Sequence, residues 1–382
     1  MDFSLTQEQE QLRSEVVGFA RKELNHGVAE RDRDQEFPRD LWLKCGQMGL
    51  QGLPVPEEYG GLGLDPLSCA VALDAFGLGC EDSGLVFSVC AHLLACVVPV
   101  WKFGTEEQKR RYLPGLCDGT IIAVNSMSEP DSGSDAFALR TRAERVAGGF
   151  RLTGTKTFAT NGPVANLSLA FATTDPEKGA YGGVTAFLVD MDTPGVQATR
   201  KIPKMGLRTS PFGEVVFDEA FVPDEAVLGG IGGGADLFGH SMDWERICLF
   251  ASHVGTLERL VDKAVKYART RRQFGQNIGK FQAVSHKIAD MKIRLETARL
   301  LTYRGASRLE RSRFVSMDAA MVKVYVSEAL VESARDVMQI FGGYGYCTEY
   351  EIERAVRDAL GSTLYSGTSE MQRNIIGGWL GL

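Results

Sequence analysis

The chain has 382 residues, 44% hydrophobic and 24% charged, a balance that suits a folded protein of two or three domains. Its formal net charge is −7 and its densest basic cluster is Arg269-Thr270-Arg271-Arg272, which argues against a nucleic-acid partner. Eight scattered cysteines form no CxxC pair and read as buried reduced thiols, and five isolated histidines show no ligand spacing, so no metal site is expected.

The first residues, Met1 to Thr6, carry neither a basic segment nor an apolar core, so no signal peptide is expected and the chain is expected in the cytoplasm. Thr6 followed by an acidic turn caps a helix with Leu12, Val16 and Phe19 on one face. Phe37-Pro38-Arg39-Asp40 starts a second helix, and Pro54 to Gly61 is a turn-rich break. Helices are expected over 65–79 and 82–103, then a charged one from Thr105 to about Leu113. The apolar run Leu85–Val100 is the nearest approach to a membrane span, but His92, Pro99 and cysteines interrupt it; a buried helix is expected and no membrane contact. Residues 1–118 thus form an N-terminal all-α domain.

From 119 to 230 the pattern changes to short β-branched and aromatic runs between Gly, Asp, Asn and Pro turns, among them Thr120–Val124, Phe150–Thr153, Leu167–Ala172, Val184–Val189 and Val215–Phe217. A compact β-barrel domain is expected. Residues 231–382 return to long helices, with apolar stripes at 247–265, 284–298 and 320–340 that predict a bundle; apolar positions beyond each stripe imply packing between subunits. Gly230-Ile231-Gly232-Gly233-Gly234-Ala235 fits a loose dinucleotide motif, yet no βαβ unit surrounds it.

Four stretches have the chemistry to hold a flat polar cofactor. The loop Ser128 to Asp135 can aim hydroxyls and N–H groups at a ring edge or a phosphate, or be a plain turn. Lys156 to Gly162 sets Phe158 two residues before Thr160, which suits the face and edge of a heterocycle or a core ring beside a turn. Arg271-Arg272-Gln273-Phe274-Gly275 can pair a pyrophosphate or complement a helix end. Gln339 to Gly345 allows close backbone approach or merely caps a helix.

Together, in this order, and with Leu5-Thr6-Gln7-Glu8-Gln9, Glu57-Glu58-Tyr59-Gly60-Gly61 and Tyr365-Ser366-Gly367-Thr368, these stretches resemble the acyl-CoA dehydrogenase family across nearly the whole chain. The resemblance implies an N-terminal helical domain, a middle β-domain, a C-terminal four-helix bundle, a homotetramer and bound FAD. It places Met127 and Ser128 on the flavin ring and Ser134 on the pyrophosphate. Phe158, where the family usually has Trp, would lie on the flavin face, and Thr160 near N5. Arg271 and Phe274 would reach a neighbouring subunit's FAD, Gln339 and Gly343 would be adenosine-side contacts, and Thr368 would touch the flavin.

The family removes an α-proton while a hydride leaves the β-carbon, a reaction that needs a carboxylate in a dry pocket. Most members carry it just before the Gly-Thr of the last helix, where this chain has Ser366. The isovaleryl branch carries it on the first long bundle helix, where Ser241-Met242-Asp243-Trp244-Glu245-Arg246 supplies Glu245. The resemblance therefore implies Glu245 as base, with Ser366 retaining a backbone N–H for the thioester oxygen. A solvated carboxylate near a helix start is the bland alternative for Glu245, and Asp243 should face elsewhere.

That base position accompanies small or branched acyl groups. Phe87 to Cys96, Trp244-Glu245 and Tyr365 to Thr368 look like dehydrogenases of prolyl groups on peptidyl carrier proteins, whereas Arg246 after the base matches CoA-using members; Trp244 and Arg246 are expected at the substrate. An isovaleryl-CoA-like substrate, a flavin oxidase and a catalytically silent member are the alternatives. The electron acceptor would be an electron-transfer flavoprotein or O₂.

Overall fold

The computed structural model describes residues 4–312 and 315–382; Met1, Asp2 and Phe3 of the N-terminal stretch lie outside the described residues. Helix α1 (Gln7–Glu23) opens with a reciprocal cap: Gln9 N donates to Thr6 Oγ1 and Thr6 N to Gln9 Oε1. Helices α2 (Arg39–Gln47) and α3 (Pro66–Gly79) follow, and α3 is buried almost all round. Helix α4 (Ser83–Phe103) contains a π-helical turn over Leu93–Val97. Contrary to the length expectation, α4 is long and apolar enough to cross a membrane, but 89% of its apolar window is buried inside the fold, where it serves as a core helix. Helix α5 (Glu106–Asp118) runs five residues beyond the expected end. It passes through Pro114 because Leu113, Leu116 and Cys117 anchor it in the core, and it stops at Gly119, whose φ of 81° breaks the helix.

The middle region has strands β1 (Ala123–Ser126), β2 (Arg142–Val146), β3 (Gly149–Thr160), β4 (Leu167–Thr173), β5 (Val184–Asp190), β6 (Val196–Lys201), β7 (Phe212–Pro223) and β8 (Val227–Leu228). They join in one sheet in the order β6-β7-β3-β2-β4-β5-β8, with β1 parallel to β4. Residues from both halves of this path share one core, among them Phe150, Leu152, Phe187, Val189, Val215 and Phe217, so the sheet curls around it. The mostly exposed β2 and β6 carried no apolar signal and were not among the expected strands. The glycine-rich segment 230–234 follows β8, which is antiparallel to β5, so no dinucleotide-type βαβ unit forms there.

The C-terminal region begins with a helix over 234–270, α6, interrupted by a π-helical turn at Glu245–Leu249. Then come α7 (Gln282–Arg311), α8 (Ser316–Phe341), α9 (Ile352–Gly361) and α10 (Ser369–Trp379). Helices α3 and α6 cross closely enough that a Cβ on Gly77 would lie 1.8 Å from Ser252 O, and one on Gly255 1.8 Å from Asp74 O. That crossing merges the two helical regions into one hydrophobic core and sets α6 against α4. Polar ties fix the sheet to both: Ser88 Oγ donates to Ser210 Oγ at 2.8 Å, Asn161 Nδ2 to Ser88 O at 3.1 Å, and Leu207 N to Asp358 Oδ1 at 2.6 Å.

Candidate active site

Glu245 stands at the start of the π-helical turn in α6, a local widening that is frequent at functional sites. Its side chain is buried, with 9% of the residue exposed, and Ser366 Oγ donates to its Oε1 at 2.5 Å. Burial pushes the carboxyl pKa up, opposed by the Ser366 hydrogen bond and the nearby Arg246 charge. The groups within electrostatic reach from other elements are neutral: Cys90 and Cys96 of α4 and the Tyr365 hydroxyl, all raised by burial. Glu245 is therefore a carboxylate in a dry pocket, not a solvated helix-start residue. Asp243 diverges as expected, accepting from Ser316 Oγ of α8 at 3.0 Å.

The segment before α10 is held from several sides. Ser366 and Gly367 adopt left-handed conformations, with φ of 57° and 88°. Arg246 Nε donates to Ser366 O at 3.1 Å, and Gln372 Nε2 to Ser366 O at 3.2 Å and Gly367 O at 3.0 Å. Lys323 Nζ donates to Thr363 O at 3.0 Å. Thr368 caps α10, its Oγ1 accepting from Met371 N at 3.4 Å.

On the sheet side, Met127 is buried and its carbonyl accepts from Lys156 Nζ at 3.2 Å, while Ser128 O accepts from Thr157 N at 2.9 Å. Lys156 is fully buried and pairs with Glu129 Oε1 at 2.7 Å; Glu129 also accepts from Arg140 N and Thr141 N. This pair welds the loop after β1 to β3. The β3–β7 register shifts between Lys156 and Ala159, and at that irregularity Phe158 has φ 56°. The bulge turns Phe158 outward, leaving it 61% exposed and stacked on Phe212 with centroids 5.7 Å apart. Thr160 beside it is half-buried, and Ser134 is exposed on a loop that Ser132 Oγ closes by donating to Asp135 O at 2.6 Å.

Models of the acyl-CoA dehydrogenase N-terminal, middle and C-terminal domains match residues 6–120, 125–220 and 232–381. The chain belongs to the acyl-CoA dehydrogenase family. An L-prolyl peptidyl-carrier-protein dehydrogenase of Pseudomonas fluorescens is 43% identical over 377 residues, covering 98% of each chain. The solved prolyl acyl carrier protein oxidase AnaB is 44% identical with a TM-score of 0.97, covering 99% of this chain and 100% of that one. PigA, solved with FAD and proline, is 39% identical with a TM-score of 0.98 over 100% of both chains.

As an acyl-CoA dehydrogenase family member, the chain offers residues that fit a flavin. An exposed ring at a strand irregularity supplies a flat apolar face, and Met127, Ser128 and Thr160 lie on the strands and loop beside it. Helix α10 opens at Thr368, and a helix N-terminus presents backbone N–H groups suited to a polar ligand. Arg271, Phe274, Gln339 and Gly343 form a second group. Arg271 follows α6, 26 residues after Glu245, so about 39 Å of helix separates the two. Phe274 is 93% exposed, and Arg271 lies over the Tyr344 ring at 5.4 Å, which brings it to the segment carrying Gly343. Exposed Gln339 ends the same helix as that segment's approach, one turn before Gly343. These four do not meet Glu245 within one chain.

Of the two residues expected at the substrate, Trp244 is buried and packs on Trp101, with centroids 6.2 Å apart, and Arg246 is engaged with the Ser366 carbonyl. Two features escaped sequence reasoning. Gln372 holds the Ser366–Gly367 turn, and His253 meets the Tyr365 hydroxyl at 2.5 Å. An isolated histidine on an apolar helix face gives no signal of such a contact.

Proposed function

We propose that the protein is an FAD-dependent dehydrogenase that forms an α,β-double bond in a prolyl group carried as a thioester on a peptidyl carrier protein. The observation that carries this reading is the buried Glu245 with Ser366 Oγ on one of its oxygens, in a chain that matches carrier-protein prolyl enzymes over its full length. Glu245 takes the α-proton: burial raises its basicity, and Ser366 holds the carboxylate in one orientation while the proton transfers. The Ser366 backbone N–H is assigned to the thioester oxygen, where a hydrogen bond stabilises the developing enolate charge. Phe158, Met127, Ser128, Thr160 and Thr368 would hold the flavin, and Ser134 its pyrophosphate. Bound FAD supplies the two-electron acceptor for the hydride that leaves the β-carbon. Arg271, Phe274, Gln339 and Gly343 are assigned to the cofactor of a second copy in a homotetramer, since the length of α6 keeps them from Glu245 of their own chain. Trp244 closes the pocket beside the base, and Arg246 acts on the substrate side through the Ser366 turn.

The test is anaerobic mixing of the FAD-loaded protein with prolyl-loaded carrier protein. Bleaching of the flavin with loss of two hydrogens from the prolyl group supports the reading. Bleaching by isovaleryl-CoA alone rejects the carrier protein, and bleaching by neither rejects the thioester dehydrogenase. Readmitting air, or adding electron-transfer flavoprotein, then identifies the electron acceptor.

A further inference from the structure

We propose that His253 is a positioning residue for the base: its bond to Tyr365 fixes the turn that sets the Ser366 hydroxyl on Glu245. The inference rests on the reading of Glu245 as base and adds a part that the sequence resemblance does not assign.

Ser252 Oγ donates to Leu249 O at 2.6 Å, so its remaining capacity toward His253 Nδ1, 3.3 Å away, is as an acceptor. Nδ1 therefore carries the proton, and Nε2 accepts from the Tyr365 hydroxyl at 2.5 Å. Burial pushes the His253 pKa down to about 3, so this neutral tautomer persists at working pH. The Tyr365 ring is gripped as well, 4.5 Å from the Phe87 centroid and 6.0 Å from that of Phe250. The next residue is Ser366, a non-glycine at φ 57°. A left-handed residue of this kind is strained and persists only where its surroundings over-determine it. Arg246 and Gln372 hold its carbonyl from one side, and the Tyr365 side chain holds the peptide before it from the other. Only with both in place does the hydroxyl reach Oε1 of Glu245, 121 positions away in the chain.

The test reads the Glu245 carboxyl directly, by difference infrared titration of the FAD-loaded protein against Glu245→Gln, so it needs no substrate. Tyr365→Phe keeps the ring and removes only the hydroxyl; His253→Leu removes the acceptor; His253→Gln restores a side-chain carbonyl that can accept. Loosening Ser366 removes a hydrogen bond to the charged carboxylate, so the Glu245 midpoint is expected to rise by about one pH unit in Tyr365→Phe and His253→Leu. His253→Gln should return it towards the original value. Ser366→Ala should raise it as much as the double variant Ser366→Ala/Tyr365→Phe, because the two act through one bond. An unchanged midpoint in Tyr365→Phe, or full additivity in the double variant, overturns the proposal. If His253→Leu does not fold, Tyr365→Phe decides alone. Flavin bleaching that survives in Glu245→Gln overturns the base assignment instead, so the two failures are distinguishable.

Discussion

Ser366 Oγ donates a 2.5 Å hydrogen bond to Glu245 Oε1, so the hydroxyl before the last helix holds a buried carboxylate 121 positions away in the chain. The hydroxyl favours the charged form, while burial favours the neutral one, and burial wins. The balance leaves a carboxylate more basic than usual yet held in one orientation.

Glu245→Gln should retain FAD but lose about 10²–10⁴-fold in the rate of flavin reduction, the usual worth of a general base. Ser366→Ala should keep most of the fold and shift the acid limb of that rate to higher pH, because the charged carboxylate loses its donor. Stopped-flow reduction across pH measures both. A Glu245→Gln variant that bleaches normally would sink the assignment.

Phe158→Ala removes an aromatic face that is mostly solvent-exposed in the chain itself. Thermal stability of the apoprotein should change by less than about 0.5 kcal/mol, the ordinary range for surface substitutions. FAD retention through gel filtration should fall. Equal loss of apoprotein stability would show that the ring is structural instead.

The α3–α6 crossing leaves no room for a methyl group. Gly77→Ala and Gly255→Ala would each press a Cβ against backbone carbonyl oxygen, at 1.8 Å before relaxation. Overpacking of this kind costs about 1–3 kcal/mol, and backbone on both sides puts these sites at the upper end. Denaturant midpoints should drop for both. Activity should drop further than stability, since α6 carries Glu245 and α4 the cysteines facing it.

His92 is buried with both ring nitrogens used: Ala123 N donates to Nδ1 at 3.0 Å, and Nε2 donates to Leu116 O at 2.9 Å. Burial pushes its pKa from 6.5 down to about 4. The unfolded chain thus binds a proton before the folded one does. The stabilising contribution is complete above pH 6.5 and is lost as pH falls towards 4, by about 3 kcal/mol over that window. His92→Gln keeps the donor to Leu116 and should flatten the dependence of urea stability on pH there. An unaltered slope would show that His92 does not control it.

Much of the architecture is legible in the sequence. The Thr6 cap, the continuous apolar runs of β4 and β5 between turn residues and the stripes on α6 to α8 are local signals. What failed were lengths and polar strands: α5 passes Pro114 because core contacts outweigh one missing N–H, and β2 and β6 have too few apolar residues to announce themselves. For the proposed site, the residue types at 127–134, 158–160, 245 and 366–368 stand out as a set, because motif order survives in a linear sequence.

The sequence by itself determined the family, the three-part order of elements and the presence of a carboxylate at 245 with a hydroxyl at 366. Only the tertiary structure decided that these two bond, that a π-helical turn carries Glu245 and that His253 grips the residue before Ser366. The reason is physical. Local rules act over a few residues, whereas the basicity and orientation of Glu245 depend on water exclusion and on partners brought together by packing from α4, α6 and the segment before α10.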